Sequence, residues 1–247
     1  MIKTIDKNIH AKIKSLANEG DTLTDKGQYS NALWKYHEAI ELIEKPRNTQ
    51  DAHTWLLASV GNVYFLKKNY NKAANALYDA LNSAGGASKG FIYLRLGQCL
   101  YELDDMEASE ENLLKAYMME GAMIFKEQDR KYINLIKNKL NNHLNITIQN
   151  SLQQLHISTP LPIQQQEAVE LFEKLEDGES FITLENSQKK VLQFYYEFGD
   201  LTVDIPIVKE QGNYQKSVSK DEAKQIIARF FEYQNIPEIE NLHFKKW

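Results

Sequence analysis

Apolar residues recur at helical spacing through the first half of the chain. Leu33, Tyr36, Ala39, Ile40 and Ile43 stand at i, i+3, i+6, i+7 and i+10, one stripe of an amphipathic helix. Polar breaks interrupt such stripes: "DKGQ" from Asp25, "KKNYN" from Lys67 and "LDDM" from Leu103. They predict helix–turn–helix hairpins. Further on, "QEAVELFEKLEDG" predicts a helix with Val169, Phe172 and Leu175 apolar and Gly178 closing it. The period then changes to two. "SFITLEN" alternates, and Leu192, Phe194, Tyr196 and Phe198 share one face. After the "GD" of Gly199 and Asp200, Leu201, Val203, Ile205 and Ile207 share one face, which predicts a hairpin with one buried side. Pro206 points to an edge or a bulge, and a shorter strand follows around Tyr214. "SKDE", from Ser219 to Glu222, is a capping box. The helix it opens carries the stripe Ala223, Ile226, Ile227, Phe230 and Phe231, suited to covering the sheet.

Three segments of the first half align on a glycine: Gly20, Gly61 and Gly97. Nine residues on stand Tyr29, Tyr70 and Met106, and nineteen residues on stand Ala39, Ala80 and Ala116. Each column steps by 41 and then 36 residues, so the segments are an internal repeat. A glycine inside a helix costs about 1 kcal/mol against alanine. It is explained if a partner helix passes too close for a Cβ, and the alanine column allows the same approach from the other side. The extra residues of the first step lie around "KPRNTQDA".

The repeat resembles the tetratricopeptide family over about residues 8–122. The positions that carry the likeness are Leu16, Gly20, Leu23, Ala32, Tyr36 and Ala39; Leu57, Gly61, Tyr64, Ala73, Leu77 and Ala80; and Leu96, Gly97, Leu100, Ser109, Leu113 and Ala116. Ser109 stands where the family has alanine, and the prolines at the repeat ends are missing. The resemblance implies a mostly α chain: an α-solenoid of three hairpins over residues 1–142, closed by a solvating cap helix at "QDRKYINLIKNKL". A linker at 143–163, rich in amides and broken by Pro160 and Pro162, would lead to a small α+β domain at 164–247. That domain would be a helix, an antiparallel sheet of three or four strands, and a helix. A weaker resemblance, to small immunity domains of bacterial polymorphic toxin systems, lies in "FITLEN", the hairpin and the final helix.

The family resemblance also implies a groove lined by the first helix of each repeat. Its partner-binding positions here include Asp21, Asp25, Trp55, Asn62, Phe65, Phe91, Gln98 and Tyr101. The family's clamp for a C-terminal carboxylate is not matched. Its places hold Ala17, Asp21, Ser59, Phe91 and Arg95, of which only Arg95 fits. What remains is aromatic, the residue class of binding hot spots.

Charge narrows the partner class. Residues 1–142 carry 19 Lys+Arg against 18 Asp+Glu, and residues 143–247 carry 10 against 16. An acidic second half disfavours nucleic acid, whose phosphates need Lys and Arg. The acids Glu167, Glu170, Glu173, Glu176, Asp177 and Glu179 read as a solvated helix face, or as a surface for a basic partner with Glu170, Glu173 and Asp177 foremost. No apolar run approaches the ~18 residues of a membrane span, and no secretory signal is visible, so the expected compartment is the cytoplasm.

No phosphate loop, dinucleotide fingerprint or zinc-protease motif is present. The six histidines are scattered, and the single cysteine, Cys99, reads as a small buried hydrophobe. Glu197, Asp200 and Asp204 surround a hairpin and are the one carboxylate grouping with catalytic potential. The expectation is a non-enzymatic binding protein with no catalytic residue, cofactor or metal. Its partner would be a protein, either a cognate toxin with a basic surface or a peptide held by a general adaptor.

Overall fold

The computed structural model describes residues 6–140, 143–151, 153–178 and 180–247. Chain contacts divide it into two units, Met1–Glu120 and Gly121–Trp247.

The first unit is the helical repeat. Its hairpins are α1 (Lys7–Asp25) with α2 (Tyr29–Glu41), α3 (Asp51–Leu66) with α4 (Tyr70–Leu81), and α5 (Gly90–Glu102) with α6 (Met106–Glu120). The glycine column is a contact column. A Cβ on Gly20 would lie 2.6 Å from the Tyr36 ring, on Gly61 2.6 Å from Leu77, and on Gly97 2.8 Å from Leu113. Each glycine thus opposes the residue sixteen positions later, on the returning helix. Ala39, Ala80 and Ala116 are fully buried beside them. Ser109, the departure from alanine, is buried and donates its hydroxyl to the Gly97 carbonyl at 2.8 Å, so its polar atom is satisfied within the hairpin. Seven residues after each glycine the chain takes positive φ, at Gly27 (69°), Lys68 (58°) and Asp104 (62°). This left-handed residue ends the first helix and reverses the chain.

The second unit is a seven-stranded antiparallel sheet with helices. In chain order it holds α7 (Arg130–Ile136), β1 (Leu144–Asn150), β2 (Leu155–Ile163), α8 (Gln165–Glu173), β3 (Ser180–Glu185), β4 (Val191–Glu197), β5 (Asp200–Ile207), β6 (Gly212–Ser217), α9 (Lys220–Tyr233) and β7 (His243–Lys246). The strand order is β2-β1-β3-β4-β5-β6-β7. One face carries the core: Ile146, Ile148, Ile182, Leu184, Leu192, Phe194, Val203 and the α9 stripe are buried. Phe172 of α8 meets Phe194 edge-on, with ring centroids 5.3 Å apart. The N-cap half of the expected capping box forms, Ser219 Oγ accepting from the Glu222 N–H at 3.1 Å, while the Glu222 carboxylate accepts from Lys216 at 2.8 Å.

Several expectations need correction. The stretch 143–163 is not a linker but the two strands β1 and β2, and the sheet has seven strands rather than three or four. The prolines are tolerated because β2 is an edge strand. Its register with β1 shifts between the pairs Ile146↔Leu161 and Ile148↔Ile157, leaving Pro160 in the bulge. Arg130 donates to the bulged Thr159 carbonyl. The expected cap helix is only the seven-residue α7, and it belongs to the second unit, with Tyr132, Ile133 and Ile136 buried. The helix α8 stops at Glu173, before Gly178, because Asn150 takes up the Lys174 carbonyl as the chain turns back to the sheet. Pro206 is not in a bulge, and it is at an edge only locally, because β4 does not reach this far along β5 and only β6 pairs beside it. It sits near the end of the interior strand β5, beyond the last β4–β5 pair Gln193↔Asp204. The β4–β5 turn is Phe198–Gly199, one residue earlier than the pattern implied, so Phe198 leaves the buried face for the tip. With the boundary at Gly121, the charge asymmetry also shrinks, to 14 bases against 16 acids and 15 against 18.

Candidate functional site

The groove positions converge on α3 and α5. Phe65 closes the last turn of α3, and Phe91 and Arg95 lie one turn apart on α5. The Arg95 guanidinium sits 4.3 Å from the Phe65 ring centre and 5.4 Å from that of Phe91. A cation held over two rings is attracted by their π faces. Arg95 also donates to Gln98 Oε1 at 2.7 Å, and both side chains are buried. Phe65 packs further on Tyr70, 5.7 Å away between centroids. Phe91 and Leu66 stay exposed at about 40% each. The result is an apolar strip with a positive charge set into it.

Asn62 lies three residues before Phe65, on the same side of α3. Its Oδ1 is buried and has no hydrogen-bond partner among the described residues. A buried acceptor without a donor costs about 1–3 kcal/mol, which a bound N–H would recover.

Other expected groove residues have different jobs. Asp21 accepts from the Tyr36 hydroxyl at 2.6 Å, tying α1 to α2. Burial and this carboxylate together push the Tyr36 phenol upward, well away from ionisation. Trp55 is half-buried and packs on the apolar core of the first two hairpins, so it is less available than expected. Gln98 is fully buried under Arg95, which removes it from the surface. Tyr101 is half-buried and Asp25 exposed. Arg95 is the central residue of the strip, although the sequence marked it only as the one match to a carboxylate clamp. Its spacing, four after Phe91 and three before Gln98, was the available signal.

The acidic helix face also divides. Glu167 is not solvated. It accepts from the backbone N–H groups of Ala122 and Met123, at 3.1 and 3.3 Å, and burial raises its carboxyl above the ordinary range. Glu173 pairs with Lys224 at 3.2 Å, and Glu170 accepts from Gln166. Glu176 and Asp177 are exposed, and Glu179 lies outside the described residues.

Of the carboxylates near the β4–β5 hairpin, Glu197 and Asp200 stand opposite each other in register, whereas Asp200 and Asp204 are not neighbours. Asp200 and Asp204 are four residues apart on one strand, about 13 Å. Asp204 is buried and accepts from Asn213, while Asp200 is exposed. The side chain of Glu197 lies outside the described residues. Among the described residues there is no group of three or more His, Cys, Asp or Glu placed to hold a metal ion. Burial pushes the Cys99 thiol up to about 12, so the sulfur is a packed neutral group, as the sequence suggested. No helix of the described residues is long and apolar enough to cross a membrane.

No family model matches the chain, and no curated protein matches it. Solved structures do. The first tetratricopeptide domain of Spaghetti (RPAP3), bound to an HSP90 peptide, is 18% identical, with 52% of this chain and 90% of that one covered and a TM-score of 0.41. The Sgt2 tetratricopeptide domain from Aspergillus fumigatus is 19% identical, with 51% and 75% covered and a TM-score of 0.41. The Yersinia enterocolitica type III secretion chaperone SycD, in complex with a peptide of the translocator YopD, is 12% identical, with 55% and 95% covered and a TM-score of 0.43.

Proposed function

We propose that this chain is a non-enzymatic protein-binding adaptor whose helical-repeat unit holds a peptide segment of a partner along α3 and α5. The observation that carries the reading is the pairing of an unsatisfied buried acceptor, Asn62 Oδ1, with the exposed apolar strip of Phe91 and Leu66. The acceptor suits a main-chain N–H of a bound segment, and the strip suits its apolar side chains. Arg95, held over Phe65 and Phe91, favours a segment with an acidic or carbonyl-rich side.

The test is a selection of phage-displayed random peptides against the full chain, followed by calorimetry on the winning peptide. Asn62→Ala and Phe91→Ala each weaken binding at least tenfold while circular dichroism stays unchanged. Undiminished affinity in both variants removes the groove from the reading.

The narrower role, neutralising a cognate toxin with a basic surface, draws on the exposed acids Glu170 and Asp177. Co-expression with the product of the adjacent gene decides it. Cell rescue with a stoichiometric complex supports the toxin role, and peptide binding without protection leaves the adaptor.

A further inference from the structure

The β4–β5 turn has two central residues, Phe198 and Gly199, with φ of 52° and 90°. Two positive values mark the type I′ form, which Asn-Gly or Asp-Gly fits best. A short polar side chain tolerates the left-handed backbone, and a bulky one does not. Eight described non-glycine residues have positive φ, and the other seven are Lys, Asp, Gln or Asn. Phe198 is the exception, and its ring is 100% exposed. The position therefore combines backbone strain with a large apolar group in water, and folding gains from neither.

The surroundings of the tip say what would cover it. A Cβ built on Gly199 would stand 3.9 Å from Asp177 Oδ2, so the acid lies against the turn. Asp200 and Glu176 are also exposed. On the strands that lead to the turn lies a cleft of about 310 Å³ whose lining includes Gly178, Ser180, Phe181, Gln193, Tyr195 and Tyr196. Phe181 and Tyr195 are paired neighbours on β3 and β4. Aromatic walls, an exposed aromatic lip and a carboxylate rim occur together at one end of the sheet.

We propose that this end of the second unit is a docking site for a basic, apolar peptide segment of a protein partner. An apolar side chain enters the cleft against Phe181 and Tyr195, Phe198 closes over it, and flanking Lys or Arg meet Asp177 and Asp200. The site shares no residue with the helical groove and stands independently of it.

The probe is a fluorescein-labelled peptide with Leu-Trp between two Arg pairs, read by anisotropy with the full chain. A control peptide carries Ser-Ser in place of Leu-Trp. The labelled peptide binds and the control binds at least tenfold more weakly. Phe198→Asn raises the melting temperature, because Asn-Gly suits the turn, yet weakens the peptide at least tenfold. The double reversal Asp177→Lys with Asp200→Lys weakens it to a similar degree and removes its salt dependence. Any of these results overturns the proposal: no binding of the peptide, wild-type affinity in Phe198→Asn, a lowered melting temperature in that variant, or loss of binding through Asn62→Ala and Phe91→Ala instead. Phe198-dependent binding to vesicles of phosphatidylcholine and phosphatidylserine, with no peptide bound, replaces the protein partner by a membrane and equally overturns it.

Discussion

In the helical unit, a residue and its closest packing partner stand sixteen positions apart, three times over: Gly20 with Tyr36, Gly61 with Leu77, Gly97 with Leu113. In the sheet unit the partners follow no fixed interval. Ile148 pairs with Ile157 on one side and with Ile182 on the other, and Tyr214 pairs with Phe244. One unit repeats a local contact. The other closes long loops, which local sequence does not encode. The lesson is that the same apolar fraction yields a readable pattern only where contacts recur at one spacing.

The largest effect expected is in the sheet. Phe194 is fully buried and edge-on to Phe172, so Phe194→Ala should cost about 3–5 kcal/mol. Hydrogen exchange should then quicken across β3, β4, β5 and α8 and leave α1–α6 protected. Equal loss of protection in both units would break the comparison.

The helical unit is probed next. Gly97→Ala places a methyl group 2.8 Å from Leu113 Cγ and 3.1 Å from its backbone nitrogen, with an expected loss of about 1–3 kcal/mol. If the sixteen-residue contact is the cause, the same change with Leu113→Ala costs less than the sum of the two single changes. Strict additivity in denaturant titrations would refute the pairing.

A smaller effect concerns pH. Burial holds the Asp204 carboxyl above its ordinary value of 3.8, against the donor Asn213 and the charge of Lys245. The folded chain therefore keeps a proton that the unfolded chain has already lost. Stability falls as pH rises through the window just above 3.8 and levels off beyond the raised value. Asp204→Asn should remove that slope from melting curves recorded between acid and neutral pH, leaving the helical unit's response unchanged.

The smallest effect sharpens the turn column. Lys68 holds a φ of 58° where the first hairpin has glycine. Relief of the left-handed strain, about 1–2 kcal/mol, is offset by the greater backbone freedom of unfolded glycine. Lys68→Gly should thus stabilise the unit by about 0.5–1 kcal/mol in chemical denaturation.

The hairpins and their glycine contacts were legible because each rests on residues within one repeat. The final helix was legible for the same reason, through its Ser219 N-cap. The strands β1 and β2 were not, because "NNHLNITIQN" and "HISTPLPI" carry amides and prolines that elsewhere signal loops. Only their edge position and bulge reconcile them with a sheet. Of the candidate site, the aromatics were readable from repeat register. The state of each polar side chain was not. Gln98 disappears under Arg95 and Asp21 is taken by Tyr36, both through partners that register alone does not name.

Cys99 lies in the wall of the third hairpin with none of its surface exposed. It packs with Ala73, Ala74 and Leu77 of the second hairpin, so a disulfide reagent cannot reach it until α5 parts from that hairpin. The chain thus carries its own stopwatch. With Cys99 the single cysteine, the rate at which the protein is modified reads how often the second and third hairpins part, and its slowing under a bound partner would time the grip of the groove without any added label.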